Sequence, residues 1–108
     1  MKFLVITAIS EYETDVKHIL KKCKVETFSF HELTGYKNHS PADSLPHWFA
    51  GDERQATASV MFYVFASIEK AENIFKEINK ANAAQEFKSK IHIVSLNVEQ
   101  TNISENVQ

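Results

Sequence analysis

The chain has 108 residues, enough for one domain with one modest core, and its apolar content of 44% and charged content of 24% are ordinary globular values. A net charge of −2 leaves no basic bias of the kind that nucleic acid or an anionic membrane surface would require. The single cysteine, Cys23, cannot close an internal disulfide, which suits a reducing compartment and makes the cytoplasm the expected location.

Lys2 to Ala8 is a β-rich apolar run that predicts a strand buried on both faces. It alternates as a strand does and lacks a convincing cleavage site, so it is read as structure rather than as a signal peptide. Ser10 offers an N-cap, with Glu11 and Glu13 in the first turn where the helix dipole favours them. The helix runs to about Lys22. Val16, Ile19, Leu20 and Cys23 recur at spacings of three and four and form its apolar stripe.

Thr27 to Tyr36 predicts a second strand, with Phe28 and Phe30 on one face and Ser29, His31 and Leu33 on the other. Gly35 is expected to end the regular pattern. The segment from Lys37 to Arg54 carries no periodicity, and loops of that length in a compact domain are usually functional or disordered. Gln55 to Phe65 predicts a third strand. Ser67 caps a second helix from Ile68 to about Ala83, with Ile68, Ala71, Ile74, Phe75 and Ile78 as its buried stripe. Lys90 to Val98 predicts the fourth strand. Residues 1–98 therefore form one domain with a long loop at 37–54, and 99–108 form a polar tail.

The order β-α-β-β-α-β specifies an α+β, ferredoxin-like fold: a four-stranded antiparallel sheet with both helices on one face. The strands are apolar on both sides, however. Phe3 and Val5 alternate with Leu4 and Ile6, Met61, Tyr63 and Phe65 with Val60, Phe62 and Val64, and Val94 and Leu96 with Ile91 and Ile93. An open apolar sheet face of that size predicts homo-oligomerisation through the sheet.

Residues 31–55 concentrate the unusual chemistry, holding both glycines, both prolines, the only tryptophan and three of the five histidines. His39 and His47, with Asp43, Asp52 and Glu53 nearby, are candidate ligands for a divalent or transition metal, against the reading that they are exposed polar loop residues. Trp48 and Phe49 have two readings, an anchor for a partner protein or a pair that folds back to fix the loop. Cys23 on its apolar stripe reads as a small core residue. No nucleophile elbow, HExxH, CxxC or phosphate-binding loop is present, and no enzymatic activity is expected.

Three stretches resemble the PII-like signalling superfamily: the helix–turn–strand ending in Gly35-Tyr36, the excursion that follows it, and the final strand beginning KIHIVSLNVEQ. The likeness is to the shorter members associated with transport or metal efflux, and more distantly to the CutA group. It implies a homotrimer whose sheets pack around an axis. It also implies a small-molecule effector in the clefts between subunits, and a loop, the T-loop of that family, that controls a partner such as a membrane transporter or efflux pump. By that resemblance Gly35, Tyr36, Lys37, Arg54, Gln55, Lys88 and Lys90 would line the cleft; Trp48 and Phe49 keep their two readings, with the partner anchor as the one that fits a controlling loop. The family's nucleotide-binding members carry a glycine-rich turn before the last strand, where this chain has QEFKSK without glycine. An adenine nucleotide and a divalent metal therefore both stand as ligand classes.

Overall fold

The computed structural model describes residues 1–36, 56–84 and 89–103. In chain order these form β1 (Lys2–Ile9), a 3-10 turn (Ser10–Tyr12), α1 (Glu13–Lys22), β2 (Ser29–Tyr36), β3 (Ala56–Ala66), α2 (Ile68–Ala84) and β4 (His92–Asn97). The four strands make one antiparallel sheet in the order β2-β3-β1-β4. The fold is the α+β, ferredoxin-like arrangement that the sequence predicts.

The core lies between the helices and one face of the sheet. Leu4, Ile6 and Ala8 of β1 alternate out to this face, in register with Val64, Phe62 and Val60 of β3, and Ile93 of β4 joins them. Val16 and Leu20 of α1 and Ala71, Ile74 and Ile78 of α2 close over them. Each fully buried large side chain in this set contributes about 1.5–3 kcal/mol. Phe62 is the largest of them, and the half-exposed Phe28 and Phe30 lean on it at ring separations of 5.7 and 5.3 Å.

Several element ends differ from their sequence expectations. Ser10 does not cap α1. It opens the 3-10 turn, closed by the Glu13 N–H donating to the Ser10 carbonyl, and neither that turn nor α1 has a side-chain cap. The tighter turn brings Tyr12 into the core directly after β1. Gly35 does not end β2, which continues through Tyr36, and no described glycine has positive φ. β3 runs from Ala56 to Ala66 rather than from Gln55 to Phe65. Ile68 is 56% exposed, because it opens α2 and Ala71 is the first residue of the stripe to reach the sheet. Ser67 does cap α2, accepting the Lys70 N–H at 3.2 Å.

β4 begins at His92, two residues later than expected, for a clear reason. The Asn82 side chain occupies both backbone groups of Ile91, which are then not available to β1. α1 ends in a Schellman motif: the Val25 N–H donates to the Leu20 carbonyl at 2.9 Å and the Lys24 N–H to the Lys21 carbonyl at 3.0 Å. Lys24 takes the left-handed position at φ 64°, where glycine is usual.

Candidate functional site

Two regions gather the chemistry of the described residues. The first is the base of the long excursion. β2 and β3 are paired to their ends, with Gly35 opposite Thr57 and Tyr36 opposite Ala56, so the chain leaves and re-enters the sheet at adjacent points. Gly35 is buried and Tyr36 is 65% exposed. Lys37, His39, His47, Trp48, Phe49, Arg54 and Gln55, and likewise Lys88, lie outside the described residues.

Lys90 stands on the other side of the sheet. Its ammonium donates to the Asn82 carbonyl near the end of α2 at 3.0 Å, and the residue is exposed. It precedes β4, whereas Tyr36 ends β2, and β2 and β4 are the two outer strands. Three inter-strand spacings, about 14 Å, separate them. A single chain therefore does not bring Tyr36 and Lys90 together across its sheet.

The second region is the sheet face away from the helices. Phe3, Val5, Tyr63, Phe65, Val94 and Leu96 share it through the register of β1 with β3 and β4. Phe3 stacks on Tyr63 at 6.0 Å and 8° and tilts against Phe65 at 4.8 Å. Val94 and Leu96 are exposed, and neither helix covers this side. One row across this face breaks its apolar character. In register order it reads His31 of β2, Met61 of β3, Thr7 of β1 and His92 of β4.

Tyr63, two residues along β3, reaches back to that row. The Tyr63 hydroxyl donates to Met61 Sδ at 3.0 Å and lies 3.5 Å from His31 Nε2, with the His31 and Tyr63 rings 5.4 Å apart. Thr7 is only 3% exposed, and its hydroxyl has no hydrogen-bond partner among the described residues. The sequence pattern puts His31 on the face opposite Phe28 and Phe30. Its juxtaposition with Met61 depends on a strand register that the sequence pattern alone does not reveal.

Away from these regions, Cys23 is half-buried beside the core, and burial, with the Glu77 carboxylate adding to it, pushes its thiol above its ordinary value. That is the behaviour of a packing residue rather than a nucleophile. Among the described residues no three of His, Cys, Asp and Glu converge as metal ligands. No described helix is long and apolar enough to cross a membrane.

No family model matches the chain, and no curated protein matches it in sequence. In structure, 122 solved chains match, and a likeness of fold selects no function by itself. One of them, a protein of Thermus thermophilus described as a PII-like signalling protein, superimposes with a TM-score of 0.61 at 14% identity, over 90% of this chain and 85% of that one. The likeness is one of fold.

Proposed function

We propose that this chain is a PII-like regulatory protein rather than an enzyme. It assembles as a homotrimer through the open sheet face and takes an anionic small-molecule effector, with an adenine nucleotide as the first candidate, in the clefts between copies. Residues 37–54 report the bound state to a partner, such as a membrane transporter or efflux pump. The observation that carries the reading is the placement of Tyr36 at the end of one outer strand, β2, and of Lys90 just before the other, β4. Side chains at the two outer edges of a sheet meet only when neighbouring copies bring unlike edges together, and an uncovered apolar face supplies the drive for that association. A cleft of this kind would gather Gly35, Tyr36, Lys37, Arg54 and Gln55 of one copy with Lys88 and Lys90 of the next. Switching follows if the effector binds one arrangement of the loop better than another.

Light scattering and calorimetry test this together. The expected result is a trimeric mass and nucleotide binding that weakens with Lys90→Ala and survives His39→Ala/His47→Ala. A monomer in solution overturns the assembly. No nucleotide heat, with divalent-metal binding that disappears in the double histidine variant, replaces the effector reading with the loop-metal one and leaves Trp48 and Phe49 to be tested as partner contacts.

A further inference from the structure

The row crossing the open sheet face carries an arrangement that neither the effector reading nor the loop-histidine reading uses. Met61 Sδ and His31 Nε2 lie 3.0 and 3.5 Å from a single atom, the hydroxyl oxygen of Tyr63. They come from adjacent strands held in register, so the convergence is built by backbone pairing rather than by flexible side chains alone. The Tyr63 ring meets Phe3 only in a wide stack, 6.0 Å between centroids. Thioether and imidazole together form a soft donor set. Neither carries charge when imidazole is neutral, and a thioether is a poor ligand for magnesium, calcium or zinc but a good one for a soft monovalent ion.

The geometry points to a binding site for a soft monovalent cation of the Cu(I) class, held between His31 Nε2 and Met61 Sδ, which close in from their present 3.5 and 3.0 Å contacts as the Tyr63 hydroxyl leaves. The phenol is a placeholder and not a ligand. It turns aside when the cation enters, because a neutral phenolic oxygen is a hard and weak donor. Low coordination numbers satisfy such an ion, so one chain supplies a sufficient pair. The site differs from the candidate ligands His39 and His47 in position and in donor type. It occupies the face through which the proposed trimer forms but needs no residue from another copy.

Ag(I) is the probe, since it shares the ligand preference and has no accessible redox step under the conditions of titration. The full-length chain is used with Cys23→Ala and His39→Ala/His47→Ala throughout, so that neither the thiol nor the loop imidazoles contribute. The expected result is Ag(I) binding in this background that is retained in Tyr63→Phe. Met61→Leu, a nearly volume-conserving change, and His31→Gln should each weaken it by at least about tenfold, the lower bound for losing even an outer support of a metal ligand. Circular dichroism on each variant separates a lost site from a lost fold. Absence of Ag(I) binding in the background, or binding indifferent to Met61→Leu and His31→Gln, overturns the site. Light scattering on the same samples reports the assembly, so the site and the trimer fail independently.

Discussion

Asn82 and Ile91 exchange a pair of hydrogen bonds. The Asn82 side-chain amide donates to the Ile91 carbonyl at 2.9 Å, and the Ile91 N–H donates to the Asn82 side-chain oxygen at 2.9 Å. The amide thus imitates a neighbouring strand for one residue and ties the end of α2 to the entrance of β4. Ile91 is 3% exposed, so water cannot readily replace those bonds. Asn82→Leu should cost about 1–3 kcal/mol for each backbone group left unpaired. A urea melt showing an unchanged midpoint would remove the clamp from the account.

Lys24 offers a gain rather than a loss. Its left-handed backbone completes the Schellman motif, at an energetic cost that glycine avoids. Lys24→Gly keeps the backbone carbonyl that accepts the Lys70 ammonium. The expected effect is a stabilisation of up to about 1 kcal/mol, partly offset by the greater freedom of glycine in the unfolded chain. Thermal denaturation of the two proteins in parallel reads the sign directly.

The Lys22–Glu77 pair links α1 to α2 at 2.9 Å, and the hydrogen bond from Lys22 holds the Glu77 carboxyl below its ordinary value. A carboxyl depressed in the folded state adds stability above its unfolded pKa and loses it as the pH falls through the folded one. Glu77→Gln should therefore melt slightly lower than the parent near neutrality, and the gap should close as the pH is taken down from about 4. Because the pair is solvent-exposed, raised salt should shrink the gap as well. A constant difference across the acid range would count against the pair.

On the open face, Val94 lies opposite Val5 of β1 with its side chain exposed. Val94→Glu leaves the helix-side core intact, so circular dichroism should be unchanged while the assembled mass falls to that of a monomer. By contrast, Phe62→Ala hollows the core and should cost about 3–5 kcal/mol without any specific effect on mass beyond unfolding. Equal assembly of wild type and Val94→Glu by light scattering would show that this face is not the interface.

The alternation of apolar residues in β1, β3 and β4 made both the fold and its uncovered face legible, since a period of two assigns every side chain to a side. Helix stripes were equally legible through Val16, Leu20, Ile74 and Ile78. What the sequence hid were events decided by single polar groups. Ser10 has the right chemistry for a cap, yet the need to bury Tyr12 one turn earlier made a 3-10 turn win. Asn82 has no pattern around it that announces two bonds to a residue nine positions on. His31 and Met61 are thirty residues apart, and only the register of β2 with β3 makes them neighbours. Most of the candidate ligand and partner residues lie in 37–55, where periodicity offers no guide to placement.

The pairing of Tyr36 with Ala56 has a consequence for engineering. Because the two strands are paired up to Tyr36 and Ala56, eight cross-strand pairs hold the scaffold's register alongside whatever joins the strands. Loop-closure entropy changes by only about 0.6 kcal/mol for each doubling of insert length. The excursion is in that sense a cassette. Replaced by a tight hairpin turn, it would leave a platform on which the proposed sheet-face assembly and the His31–Met61 pair can be studied alone, and cassettes of different length or chemistry could be exchanged on the same four strands.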